Sequence, residues 1–302
     1  MAPQQSKIVI FCGKGGVGKT TLCLSAALRQ AGAGRKVVVV SSHPLRELAV
    51  AVSLEGLESK SPTAARNLFV VHIDPKELLA EVVRNNFPVE WVARAVLNSQ
   101  IYRSLIEVAP GLKEFYFLAR LQALAERGQG APEYDLLFWD APATGHFLGT
   151  LHAARNFETF LSGPLASAGA ELARFYSSAS RISVLPTTTL EEMAIEETVE
   201  MCQKLKADFQ LKASAVVMNL VSPIATAAES DAGALEREAK ASSDPALRFA
   251  FDRGMRERAR AKELRERLAA PAFAVERVRK WSSDLDLLDQ IGGSLEGLPT
   301  AA

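Results

Sequence analysis

Lys7-Ile8-Val9-Ile10-Phe11-Cys12 is a short apolar run that passes directly into Gly13-Lys14-Gly15-Gly16-Val17-Gly18-Lys19-Thr20-Thr21. The octet Gly13 to Thr20 satisfies G-x-x-x-x-G-K-(S/T), and it stands where its chemistry requires, after a strand-like run and at the start of a stretch with helical spacing. Glycines let backbone N–H groups converge on phosphate oxygens, and a helix N-terminus adds its dipole to that concave anion site. Lys19 is expected at the β- and γ-phosphates and the Thr20 hydroxyl on Mg²⁺. The nucleotide-binding set read from this stretch is Gly13, Lys14, Gly15, Gly16, Val17, Gly18, Lys19, Thr20 and Thr21.

The same alternation continues outward. Apolar runs suited to buried parallel strands recur at 36–42, 68–74, 134–140, 181–186 and 212–219, and helical spacing fills 19–31, 76–84, 112–127, 147–160, 190–205 and 246–268. Strand alternating with helix predicts an α/β fold with a mostly parallel, doubly wound sheet, here as one domain over 1–302. Two regions depart from the alternation, about 76–130 and 147–180, and read as helical insertions beside the sheet. The stretch 225–244 is rich in Ala, Ser and acidic residues without large apolar groups, and is expected to be a mobile loop. The arginine-rich helix after it reads as a solvated charged face.

Composition narrows the function classes. The 302 residues carry 35 Lys+Arg against 35 Asp+Glu, so no global field favours a polyanion, which argues against a dedicated nucleic-acid partner. Cys12, Cys23 and Cys202 form no C-x-x-C pair and suit a reducing compartment. No charged-then-apolar leader opens the sequence, and no apolar run approaches the roughly 18–20 residues of a membrane span, so a cytoplasmic protein is expected.

Lys14 is a second lysine inside the loop, which phosphate binding alone does not need. The GKGGVGKT form resembles the deviant Walker A of the MinD, ParA, nitrogenase iron-protein and ArsA group of dimeric P-loop ATPases. The sequence Asp140-Ala141-Pro142-Ala143-Thr144-Gly145-His146, after YDLLFWD, is similar to the switch II segment of the ArsA branch, D-T-A-P-T-G-H. His72-Ile73-Asp74-Pro75, the stretch from Pro186 to Val199, and Asn219 at the end of SAVVMN extend the likeness over about Lys7 to Pro223. This resemblance implies a P-loop NTPase that binds ATP or ADP with Mg²⁺ held by Thr20 and Asp140. It also implies that Lys14 reaches across a dimer to the partner's phosphates, and that Asn219 reads adenine.

Departures from the family pattern bear on activity. Where the family has S-T-D-P-A-H, with an Asp that orients the attacking water, this chain has Ser41-Ser42-His43-Pro44-Leu45-Arg46. Imidazole does not present two oxygens to a water, so His43 makes hydrolysis doubtful while leaving nucleotide binding intact. The zinc-clamping C-x-x-C of tail-anchored-protein targeting ATPases and the thiolate trio of arsenite-pump ATPases are both absent, so no zinc is expected. The insertions carry apolar stripes, Phe115, Tyr116, Phe117, Leu118, Leu121 and Leu124 on one, Phe157, Phe160, Leu161, Leu165, Leu172 and Phe175 on the other, read as core or as a groove for a hydrophobic protein client.

The resulting expectation is an Mg-ATP-binding switch that dimerises with itself or with an ArsA-like paralogue. The alternatives are a hydrolysis-deficient regulator and a MinD- or ParA-like positioning ATPase. The last would want a basic amphipathic C-terminal helix, whereas the tail DLDLLDQIGGSLEGLPTAA is acidic and reads as ending in flexible residues.

Overall fold

The structure, a computed structural model, describes residues 7–41, 63–65, 67–74, 77–78, 84, 111–126, 134–160 and 164–300. The sheet is built from β1 (Lys7–Gly13), β2 (Val37–Ser41), β3 (Thr63–Ala65), β4 (Leu68–His72), β5 (Leu136–Ala143), β6 (Ile182–Thr188), β7 (Val216–Val221) and β8 (Ala272–Glu276). The helices are α1 (Lys19–Gly32), α2 (Leu112–Ala125), α3 (Thr144–Phe160), α4 (Pro164–Tyr176), α5 (Glu192–Phe209), the single turn α6 (Pro223–Thr226), α7 (Glu229–Ala241), α8 (Pro245–Leu268) and α9 (Asp284–Ser294).

Ile8 to Cys12 are fully buried, which is why β1 reads as an unbroken apolar run: a strand covered on both faces has no polar side to alternate with. The strand order is β3-β4-β2-β5-β1-β6-β7-β8, parallel throughout except for β3 against β4 at one edge. Successive residues of β1 divide between two cores. Ile8, Ile10 and Cys12 pack with α2, α3, α4 and the far half of α5, while Val9 and Phe11 pack with α1 and α9. Helices therefore cover both faces of a doubly wound sheet, as the alternation predicts. A third cluster joins α5, β7 and α8 through Leu190, Val199, Met218, Ala261 and Leu264.

Most described residues of the apolar stripes turn inward, while Tyr116 and Leu124 are half-buried against the same core. Phe115, Leu118 and Leu121 of α2 and Phe157, Leu172 and Phe175 of α3 and α4 are all buried in one core, with the Phe115 and Phe157 rings stacked at 4.3 Å. Leu161, the side chains of Phe160 and Leu165, and most of 76–110 lie outside the described residues.

Three expectations need correction. The stretch 225–244 is not a mobile loop: α7 occupies 229–241, because Ala, Glu, Arg and Lys are strong helix formers and Glu236 pairs with Lys240 one turn on at 2.7 Å. A short apolar stripe concealed that propensity. The C-terminal tail, expected to end in flexible residues, is packed as far as Thr300: α9 is capped by the Ser283 hydroxyl, which accepts from the Asp286 amide, and beyond it Leu295 and Leu298 are buried while the Ser183 hydroxyl donates to the Pro299 carbonyl at 2.8 Å. Leu288 and Ile291 bury against α1, and Gly292 lies so close that a Cβ would stand 3.1 Å from the Ser25 carbonyl oxygen. Finally, the arginines of α8 are only partly a solvated face. Arg260 donates to the Leu190 carbonyl at 3.1 Å, Arg258 to that of Ala227 at 2.6 Å, and Arg267 forks onto Glu196, tying α8 to α5 and α6. Among the described residues no helix is long and apolar enough to cross a membrane.

Candidate functional site

The glycine-rich loop leaves the C-terminal end of β1, with β5 on one side and β6 on the other. The chain next adds β2 on the β5 side and later β6, β7 and β8 on the other, so the loop sits where the winding reverses, the crevice in which open α/β sheets take ligands. Its first turn depends on Gly13, whose φ is 144° and whose added Cβ would stand 2.1 Å from the Thr187 carbonyl oxygen of β6. Gly15 and Gly16 face open space. The loop ends at Gly18, which caps α1 with no side-chain hydrogen bond, and the first turn holds no acidic residue. The opening amides of α1 are thus left to an incoming anion.

Thr20 and Asp140, 120 residues apart, meet directly: the Thr20 hydroxyl donates to the Asp140 carboxylate at 2.8 Å. Asp140 is buried near the end of β5, and the helix start brings Thr20 to it. Mg²⁺ keeps much of its water and takes few protein ligands beside substrate phosphates, so a hydroxyl and a carboxylate suffice to hold it. Among the described residues no larger cluster of His, Cys, Asp and Glu could hold a metal ion. The Lys19 ammonium donates to the Lys14 carbonyl at 2.9 Å. Burial pulls its pKa below the ordinary lysine value, opposed by Asp140, Cys12 and Glu197.

The Lys14 side chain is half exposed, its ammonium 3.9 Å from the Glu197 carboxylate of α5 in the same chain. Asn219 is buried at the end of β7, beside the loop: its side-chain nitrogen donates to the Val17 carbonyl at 2.8 Å. The segment from Asp140 to His146 is not a free loop, since β5 runs to Ala143 and α3 starts at Thr144. His146 is exposed in the first turn of α3, and its carbonyl accepts from Thr150. His43 lies outside the described residues. The cysteines stand on three different elements, β1, α1 and α5. Burial raises the pKa of all three thiols, that of Cys202 to about 12.

Known proteins are similar to this chain in sequence. Residues 6–217 fit the family model described as anion-transporting ATPase. The chain belongs to that family. It is 28% identical over 206 residues to a protein of Aquifex aeolicus named for an arsenical pump-driving ATPase, covering 66% of this chain and 64% of the relative. ATPase BagA of Mycobacterium tuberculosis is 25% identical over 244 residues, 78% of this chain and 72% of that one. ATPase GET3 of Malassezia globosa is 30% identical over 147 residues, 48% of this chain and 42% of that one. The chain thus spans somewhat under two thirds of the Aquifex relative and under half of GET3.

Three groups at this site escaped the sequence reading. The Thr187 carbonyl is a backbone atom and leaves no residue signature. Glu197 lies within the family-like stretch from Pro186 to Val199, whose likeness alone could have marked it. Glu257 of α8 accepts the Ser222 amide at 2.8 Å, three residues beyond Asn219, while also pairing with Arg253. In sequence it is one more acid with an arginine four residues before it, the pattern of any exposed helix.

Proposed function

We propose that this chain binds ATP with Mg²⁺ at Gly13 to Thr21 and works in the cytoplasm as a nucleotide-dependent dimeric switch. The observation that carries the reading is the Thr20–Asp140 hydrogen bond at the foot of a helix whose first amides have no side-chain cap. In this reading the loop amides and Lys19 would bind the phosphates, and Thr20 and Asp140 would hold a Mg²⁺ that offsets phosphate charge. Lys14 must part from Glu197 to reach a partner's nucleotide, which makes dimerisation depend on what the loop holds. Lys19→Ala should abolish most ATP affinity by calorimetry; equal binding by wild type and variant refutes the assignment. Lys14→Ala should weaken association with a non-hydrolysed ATP analogue more than it weakens ATP binding, as read by sedimentation.

His43 favours a second reading, a nucleotide-binding regulator that hydrolyses ATP poorly alone and pairs with a paralogue retaining the switch I Asp. Water-positioning groups contribute roughly a hundred- to ten-thousand-fold, so His43→Asp should raise turnover strongly at little cost in ATP affinity. Robust wild-type turnover that this change leaves untouched removes the second reading. A hydrophobic or membrane-associated client is assigned to the helical insertions, about 76–130 and 147–180, by family resemblance. Most described apolar residues of α2, α3 and α4 are committed to the core, with Leu112, Tyr116 and Leu124 only partly buried.

A further inference from the structure

We propose that Asn219 is a positioning residue for the phosphate loop, its side-chain amide fastening the loop's last turn to β7 so that the base-side strand sets the shape of the triphosphate cradle. The inference rests on the reading of Gly13 to Thr21 as a phosphate site and adds a role that adenine recognition does not require.

Four features of the geometry point to it. The Asn219 nitrogen donates 2.8 Å to the carbonyl of Val17, inside the loop and 202 residues away in sequence. Gly18 is shaped to receive it: a Cβ there would stand 2.3 Å from that same nitrogen, and its φ of 89° already excludes most side chains. The amide's orientation is fixed from the other end, because its oxygen accepts the Leu220 amide at 2.9 Å, which settles which end carries the N–H₂. Leu220 itself adopts a φ of 58°, a left-handed conformation that is costly for leucine and persists only where the surroundings impose it. Glu257 supplies part of that constraint by holding the Ser222 amide at 2.8 Å while Arg253 grips its other oxygen at 2.9 Å.

A buried amide used in this way is not exhausted. The N–H₂ has a second proton and the oxygen a second lone pair, enough for an adenine edge. Base contact and loop geometry would then share one side chain, and a nucleotide that engages it does so with the loop already fastened. The Val17 carbonyl is also a buried acceptor, and removing its donor exposes the loop to the full cost of an unpaired group.

The test separates fastening from base reading by using a ligand without a base. Wild type, Asn219→Ala and Asn219→Asp are titrated with ATP, GTP and inorganic tripolyphosphate in the presence of Mg²⁺, with melting curves to verify the fold. The aspartate keeps the acceptor for Leu220 but sets an oxygen against the Val17 carbonyl. Both variants should bind tripolyphosphate about tenfold more weakly or worse, with faster amide hydrogen exchange confined to residues 13–20. Wild-type tripolyphosphate affinity in both variants, with only the preference for ATP over GTP lost, overturns the proposal and leaves Asn219 a base reader. If wild type binds neither ATP nor tripolyphosphate, the phosphate-site reading falls first and this one with it. Should the variants fail to fold, the wild type decides: slow exchange of the Asn219 side-chain N–H₂ by NMR in the nucleotide-free protein supports the fastening, and exchange as fast as in an exposed asparagine overturns it.

Discussion

Gly13→Ala tests whether the loop leaves the sheet as described. The new methyl would be built 2.1 Å from the Thr187 carbonyl oxygen and 3.2 Å from its carbon, with φ at 144°. Strands β1 and β6 must part by about an ångström, yet both are buried and hydrogen-bonded in register, Ile8 against Ile182 to Cys12 against Pro186. Holding a non-glycine residue in such a conformation costs about 1–3 kcal/mol. Forcing an extra methyl into a packed interior costs about 1–3 kcal/mol more. Their sum, about 2–6 kcal/mol, is a large share of the roughly 5–15 kcal/mol by which a folded domain is stable. Gly15→Ala is the control in the same loop, since nothing lies within 4 Å of its Cβ position and its φ is not positive. A surface change of that kind stays within about 0.5 kcal/mol. Urea unfolding of the two variants, compared by midpoint at unchanged slope, measures the difference. A Gly13→Ala midpoint equal to that of Gly15→Ala would falsify the close approach of the loop to β6.

Other consequences are equally specific. Because burial holds the Lys19 pKa below 10.5 in the free protein and a bound polyanion raises it, ATP binding just above the free value should take up a proton and weaken as pH rises. Calorimetry at alkaline pH in buffers of different ionisation enthalpy shows it, and proton release would contradict it. Glu257→Ala leaves the Ser222 amide without its acceptor and should lower stability by about 1–3 kcal/mol in chemical denaturation. Arg267→Ala breaks an exposed fork on Glu196 and should leave the unfolding midpoint in place, although that contact looks stronger on distance alone. Phe157→Ala empties a stacked, buried ring position and should cost about 3–5 kcal/mol; a loss under 1 kcal/mol would place the ring outside the core.

What the sequence discloses depends on the range of the interaction. β1, β2 and β5 are legible because a strand buried on both faces must be apolar at every position, and Val37 to Val40 and Leu136 to Trp139 are. The phosphate loop is legible because each of its residues answers a local demand, an open φ, a converging amide or a helix start. The 225–244 stretch was misread for the opposite reason. Apolar periodicity reports burial, and α7, with Ala239 buried and most of its described side chains exposed, has little burial to report. Its helicity comes from propensity and from α8 beside it, which periodicity does not weigh.

The bond from Asn219 to Val17 shows where that limit falls inside the site. An asparagine after an apolar strand signals a turn, a cap or a ligand contact, and the sequence offers no means of choosing among them. The choice is made by Gly18, 201 positions earlier, whose missing side chain is the space the amide fills, and by Glu257, 38 positions later, which steadies the turn. Neither residue is informative alone: the glycine is already explained by the phosphate loop, and the glutamate by its arginine four residues before. A residue with two sufficient local explanations conceals a third, non-local one. Here the concealed contacts, Asn219 to Val17, Leu220 to Asn219 and Ser222 to Glu257, tie the phosphate loop, β7 and α8 together across more than two hundred positions of sequence.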